Sequence, residues 1–327
     1  PILVGVVDTE SEFEWHLGTD ADHGQVRAAA ELPRLQDTFE EAGIQACYAV
    51  DYPVASTAES AAVLRGLQAR GAEIGAHLQP WSTPPFRGSI GPAQTFPGNL
   101  SIELQRDKLG SLLTSIRDAI GNDVRTYKAG RYGIGPGTMA LLEEMGVAVD
   151  LSVAPPFDFS DEGGPDFSRY DSHAYWFGDS RPVLELPTTG GYIGALRRHG
   201  DGLWRAGGSA PGKLLRFRGA LDRVSGLSRL RLSPEGNDLR RLKALTQALL
   251  MDGVRVFSLS LHSPSLMPGF TPYVRDAADR ARLLQTIHDY GRFFMQDLGG
   301  SSLTPFGVRE WLISQMSQSP QPPNSPS

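Results

Sequence analysis

The stretch Ile2-Leu3-Val4-Gly5-Val6-Val7-Asp8-Thr9-Glu10 joins a short apolar run to two carboxylates spaced two residues apart. A β-branched run of this length reads as a strand buried on both faces, the kind that parallel sheets use. The pattern then repeats along the chain. Residues 26–42 have helical spacing and stop at Gly43, a natural C-cap; residues 44–50 read as a strand again. Residues 55–70 form a helix closed by Gly71, and 73–77 a third strand. Beyond a Pro/Gly-rich loop at 80–98 come helix 101–120, strand 126–129, helix 137–145 and strands 147–153, 183–186 and 254–261, then a last helix at 275–298. Strands that alternate with helices imply parallel pairing through helical crossovers, and seven strands fit a barrel better than an open sheet.

The chain has 327 residues, 40% hydrophobic and 21% charged, an ordinary globular composition. One barrel over residues 1–315 is expected, with a disordered Pro/Ser-rich tail at 316–327. No apolar run reaches the ~20 residues of a membrane span. Pro1 opens directly onto the first strand without a leader-like segment, and the lone Cys47 excludes an internal disulfide; both favour the cytoplasm. The net charge of −6 hides a basic segment between Arg197 and Lys243, where twelve Lys and Arg face four Asp and Glu. No aromatic interleaving or nucleic-acid motif accompanies that charge, so nucleic acid is not an expected partner. Within it, residues 213–232 recur at roughly helical spacing, a basic amphipathic stretch that can rest on an anionic membrane. The competing reading is a helix packed on the barrel; Gly219 and Gly226 interrupt the pattern and weaken the membrane reading.

In α/β barrels chemistry collects at the C-terminal ends of strands. Here those ends carry Asp8 and Glu10, His77, Lys128 with Arg131 and Tyr132, Glu185, and His262. Asp8 and Glu10 point to one face of an extended strand, so they can divide the work of base and metal ligand. His262 precedes Ser-Pro-Ser, a loop, and suits a general acid. Each group alone has an ordinary structural explanation; together they mark a site.

These segments resemble the polysaccharide deacetylase superfamily (carbohydrate esterase family 4, NodB homology), closest to its WalW-like branch. The resemblance runs from Val6 to about Val308 and rests on Val-Val-Asp-Thr-Glu-Ser-Glu-Phe-Glu-Trp (6–15), Glu-Ile-Gly-Ala-His-Leu-Gln-Pro-Trp (73–81), Tyr-Lys-Ala-Gly-Arg-Tyr-Gly (127–133), Glu-Leu-Pro (185–187) and Leu-His-Ser-Pro-Ser-Leu-Met-Pro-Gly (261–269), with shorter matches at 48–55 and 96–100. It implies a deformed (β/α)7 barrel and a hydrolase acting on carbon–nitrogen bonds other than peptide bonds. Such an enzyme removes N-acetyl groups from a carbohydrate or glycoconjugate with a divalent metal, zinc above all. Carried over, Asp8 is the base that activates water, His262 the acid, and Lys128 the cation that orients the base. Glu10 and His77 are metal ligands, with Gln79 in the place of the missing histidine; from their own positions, Trp15, Trp81, Arg131, Tyr132 and Glu185 are expected to contact substrate.

Two departures stand out. The family's common His-x-x-x-His has Trp81 at its second position, and the His-Leu-His-Pro-Trp of the WalW-like branch has Gln79 there. A glutamine carbonyl is a far weaker zinc ligand than imidazole. Lys128 stands where the family has arginine; it keeps the charge and loses the bidentate fork. Three readings are then open: a deacetylase with an altered metal site, a metal-independent amide hydrolase, and a glycan-binding pseudoenzyme. A glycoside hydrolase pairing Asp8 or Glu10 with Glu185 ranks below these, because it leaves His262 and Lys128 without a task.

Other residues have weaker claims. His16 could supply the missing ligand, although no spacing demands it, and His173 lies in an aromatic loop that either packs over the barrel mouth or meets a sugar. Gly190 and Gly191 suggest a close backbone approach to a ligand, with N–H donation to an oxyanion.

Overall fold

The structure is a computed structural model and describes residues 1–12, 25–88, 90–177, 183–208 and 217–318. Trp15, His16 and His23 lie outside the described residues, as does 213–216 of the basic stretch.

All seven anticipated strands are present: β1 (Ile2–Thr9), β2 (Ala46–Val50), β3 (Glu73–Leu78), β4 (Thr126–Ala129) and β5 (Val149–Asp150), then, after the short β6 (Tyr175–Phe177), β7 (Val183–Glu185). A hairpin pair, β8 (Gly190–Ile193) and β9 (Ser228–Arg231), precedes the seventh, β10 (Val256–His262), and β11 (Ser301–Ser302) ends the set. The main sheet has nine strands in the order β10-β1-β2-β3-β4-β5-β7-β6, with β11 beside β1. The seven anticipated strands pair in parallel, and β6 closes one edge antiparallel.

Alternation along β1 sorts its side chains between two cores. Ile2, Val4 and Val6 meet Val149, Leu151, Leu184, Leu186 and Val308 inside the barrel. Leu3 and Val7 face outward, into the core under helices Leu32–Glu41, Ala58–Ala69 and Ile102–Ile120. Asp8 and Glu10 continue the inward series, so the same parity that builds the core delivers two carboxylates to the barrel's mouth. The opposite mouth is closed by helix Pro305–Gln318, whose Phe306 amide donates to Glu73 at 2.9 Å while Val308 is fully buried. That helix runs into the stretch expected as tail, and the helix at Ala277–Arg292 is therefore not the last.

The curled sheet does not close by a strand ladder between β7 and β10. Thr189 and Ser258 bridge it with two backbone-to-hydroxyl bonds of 2.9 and 2.8 Å. Leu232 continues the seam, its amide donating to Thr189 O (2.8 Å) and its carbonyl accepting from Ser260 N (3.0 Å). The barrel is deformed at this seam, and β9 lies alongside it.

The basic stretch is not one amphipathic helix. Helix Phe217–Ser225 ends before Gly226, which takes φ +67°, and the chain then enters β9. Leu227, Leu230 and Leu232 are buried in the protein, so they offer no apolar face to a membrane. No helix among the described residues is long and apolar enough to cross a membrane.

Candidate active site

β1, β3, β4 and β10 end at the same mouth, and the registers Asp8↔His262 and His77↔Lys128 place four ionisable groups side by side. Lys128 reaches across to Asp8 with bonds of 2.6 and 2.7 Å to its two carboxylate oxygens. Both residues are buried, Lys128 at 1% exposure and Asp8 at 4%. Burial works against the charge on Asp8, but Lys128, His77 and His262 outweigh it and hold the carboxyl down at about 2. Lys128 in turn keeps its proton more firmly than a free lysine: burial opposes the charge and Asp8 overrides it.

His262 stands on the other side of Asp8, its Nε2 3.6 Å from Asp8 Oδ2. Its Nδ1 faces Glu235 Oε2 at 2.8 Å, and its amide donates to Glu235 Oε1 at 3.1 Å. Ser265 also donates to Glu235. Burial disfavours the imidazolium, yet Glu235, Glu10 and Asp8 outweigh it and raise His262 to about 10. Glu235 is correspondingly held below the ordinary carboxylate range despite its burial, with His262 as the main cause. The result is an alternating chain of charge, Lys128, Asp8, His262, Glu235. Glu235 carried no signal in the sequence: it sits in a Ser-Pro-Glu-Gly-Asn turn after β9, and only the seam beside β10 brings it to His262.

A second group lies deeper. His77 Nδ1 faces the Lys128 carbonyl at 3.2 Å, and since a carbonyl can only accept, Nδ1 carries the proton. Its Nε2 is then turned toward Glu10 Oε2, 3.5 Å away. Gln79 donates its amide N–H to that same Glu10 oxygen. Ser263 supports the loop, accepting from Glu10 N at 3.1 Å, and Asp51 accepts from Ser11 N at 2.8 Å.

These donors meet only part of what the divalent metal implied by the resemblance requires. Two features suit a metal: the buried Glu10 Oε1 has no hydrogen-bond partner, and His77 presents Nε2 with Nδ1 tied to a carbonyl. The third ligand is the weak point. Gln79 donates its amide nitrogen to Glu10 and offers a metal only its carbonyl oxygen, a poor zinc ligand; both oxygens of Asp8 are held by Lys128, and no group of three His, Cys, Asp or Glu among the described residues could hold an ion. Zinc takes at least three protein ligands, so the described residues do not fit a zinc site of the expected kind.

In front of Asp8 and His262 opens a cleft of about 250 Å3 walled by Tyr132, Phe157, Arg229, Arg231, Glu235 and Tyr273, among others. Among the described residues, Tyr132 is the one expected substrate contact that reaches it. Arg131 and Tyr132 take φ values of +54° and +59°, a backbone that side chains rarely adopt. This turn lays the Tyr132 ring 5.2 Å from Lys128 Nζ. It swings Arg131 away, to Thr95 and Glu162 and over the Phe96 ring. Trp81 is buried instead of lining the cleft. Glu185 faces the other side of the sheet, because Leu184 and Leu186 take the inward positions; it accepts from Val153 N at 3.0 Å. Gly190 approaches the Pro155 carbonyl so closely that a Cβ would lie 2.0 Å from its oxygen, and its amide donates to Ser172. The close approach is therefore to the protein's own backbone. His173 belongs to the opposite end of the barrel, beside Trp176 and Trp311.

No protein-family model and no curated protein sequence matches the chain. Solved structures do. The chain is similar to a protein from Mycobacterium smegmatis assigned as a polysaccharide deacetylase, at 17% identity and a TM-score of 0.54 over 99% of this chain and 94% of that one. A protein from Pseudomonas aeruginosa PAO1 with the same assignment matches at 14% and 0.54 over 98% and 92%. PuuE allantoinase matches at 14% and 0.54 over 96% and 90%. Likeness at such identity speaks for the fold, and the fold is the deformed (β/α) barrel that this chain shares with those proteins.

Proposed function

We propose that the chain is a hydrolase of non-peptide carbon–nitrogen bonds that removes N-acetyl or related acyl groups from a carbohydrate or glycoconjugate. The observation that carries this reading is the charge chain Lys128–Asp8–His262–Glu235 at the head of a cleft. Asp8 is the site's base: it accepts a proton from the water that attacks the acyl carbon. His262 is the acid, protonated at neutral pH and able to deliver its proton to the departing nitrogen. Lys128 keeps Asp8 charged and oriented, and Glu235 does the same for His262. Tyr273, exposed at the cleft wall, offers an aromatic face on which a sugar ring stacks.

Asp8 at about 2 is a weak base in the resting site. A substrate that enters between Asp8 and either cation loosens that grip, so the base strengthens when it is needed. Among the described residues the donor set around Glu10 and His77 lacks a third strong ligand, which favours the metal-independent form of the reading. The low basicity of Asp8 also favours a second reading, a glycan-binding protein without turnover. Acetate release from a panel of N-acetylated sugars, with and without a chelator, separates them: chelator-resistant release supports the first reading, and sugar binding without release supports the second.

A further inference from the structure

The basic segment finds its place in the cleft. β9 alternates Ser228, Arg229, Leu230, Arg231, with Leu230 buried in the core and both arginines half-buried on the opposite face. That face is the cleft wall shared with Asp8 and His262. Arg231 lies over three rings, 4.7 Å from the centre of Tyr132, 4.3 Å from Phe157 and 5.7 Å from Phe159. Arg229 lies over Phe157 at 4.4 Å and Trp204 at 5.1 Å. Stacking occupies the flat faces of a guanidinium and leaves its in-plane N–H groups to hydrogen-bond elsewhere. The Arg231 Nε is buried with no hydrogen-bond partner, and Arg229 makes one bond, to the Pro156 carbonyl at 3.2 Å.

The acids nearby are already engaged. Asp8 answers Lys128, and Glu235 answers His262. Arg197 and Arg205, from the same basic segment, have Asp252 and Asp201. Among the described residues Arg229 and Arg231 have no carboxylate in ion-pairing reach; Asp158 acts on Arg229 only from farther away. Two stacked, half-buried guanidiniums without counter-charge are costly to hold in a cleft unless an anion completes them.

We infer that the substrate carries an anionic group, a phosphate or a carboxylate, which Arg229 and Arg231 bind while Asp8 and His262 face the acyl group. This inference rests on the hydrolase reading for the second half only. It places the specificity of the site in β9, outside the strands that bear the catalytic pair.

The test compares N-acetylglucosamine, N-acetylglucosamine 1-phosphate and N-acetylmuramic acid in wild type, Arg229→Gln and Arg231→Gln. Acetate release gives kcat/KM, and calorimetry on an Asp8→Asn background gives binding without turnover. Expected is a preference of the wild type for one or both anionic sugars of about 10–100-fold, the range for hydrogen bonds to charged groups. That preference should collapse toward unity in the glutamine variants, and the better of the two anions identifies phosphate or carboxylate. Should the variants fold poorly, the wild type still answers. Raising salt until the Debye length falls from about 30 Å to about 8 Å should weaken binding of the anionic sugars and leave the neutral one nearly unchanged. Equal handling of all three sugars, insensitive to salt, overturns the inference and leaves hydrolysis standing. Arginine-dependent binding of an anionic sugar with no acetate released from any of the three supports the inference and overturns the hydrolase reading.

Discussion

Replacing Lys128 by Met removes one charge from the centre of the site while keeping much of the side chain's length. The structure sets the size of the effect. Two bonds of 2.6 and 2.7 Å are lost, between groups that are 1% and 4% exposed. Asp8 is left as a buried carboxylate facing only the imidazoles of His262 and His77. Breaking a buried pair from one side costs about 3–5 kcal/mol, mostly for the charge left behind. At about 2–4 °C per kcal/mol for chains approaching this size, the melting midpoint at pH 7 should fall by on the order of 10 °C. Two controls sharpen the test. Adding Asp8→Asn to Lys128→Met should recover most of the loss, because the stranded charge is gone. The deficit of Lys128→Met should also shrink on moving from pH 8 to pH 4–5, since Asp8 without its lysine can protonate there. Calorimetric melting of wild type, Lys128→Met, Asp8→Asn and the double variant at two pH values is sufficient. A loss of under about 1 kcal/mol, or a double variant no better than Lys128→Met alone, would refute the argument that this pair is a desolvated, mutually dependent unit.

Glu235→Gln should lower the titration midpoint of His262 from about 10 by more than one unit, read by NMR of the imidazole protons. A raised folded-state value gives stability that is complete below pH 6.5 and lost as pH rises through about 10, so the variant should be weaker than wild type at pH 6 and nearly equal above pH 10. Gln79→His should supply the third ligand beside Glu10 and His77; the expected outcome is near-stoichiometric zinc after dialysis, measured by elemental analysis, against little in the wild type. Asp150 and Glu185 are fully buried partners on adjacent strands; burial pushes Asp150 up to about 6, and burial with the neighbouring Asp150 pushes Glu185 well above the ordinary carboxylate range. Folded-state values above the unfolded ones mean that stability falls as pH rises from about 4 through 6 and beyond. Asp150→Asn should flatten that fall in melting curves taken at pH 5 and pH 8.

Most of the parallel strands were legible because they are short apolar runs, several of them following a helix that stops at a glycine, as at Gly43, Gly71 and Gly121, and local pattern is enough for that. The inward parity of Asp8 and Glu10 could be read in the same way. β8 and β9 could not: β8 is Gly-Gly-Tyr-Ile, the alternation of β9 lasts only four residues, and the amphipathic count across 213–232 read helix through a Gly226 turn. Helix Pro305–Gln318 was hidden because it presents no consistent apolar face along its length and is held by Val308 and a bond to Glu73. The site divides on similar lines. Asp8, His77, Lys128 and His262 stand at strand ends, where topology alone makes them neighbours. Glu235, Arg229 and Arg231 enter through the seam between β7 and β10, a long-range contact that no spacing encodes. Glu185 and Arg131 were misplaced for a local reason: a one-residue change in parity turns the first outward, and a left-handed backbone turns the second away from the cleft.

The central claim is that Asp8 and His262 cleave an acyl C–N bond, and the rate of acetate release by wild type and Asp8→Asn on one N-acetylated sugar tests it most directly. Loss of a positioned acid or base typically costs about 10^2–10^4 in rate. The account predicts release by the wild type and a fall of that size in Asp8→Asn, whose folding is verified by melting. Equal rates from the two proteins, or no release from a sugar that the wild type demonstrably binds, would contradict it.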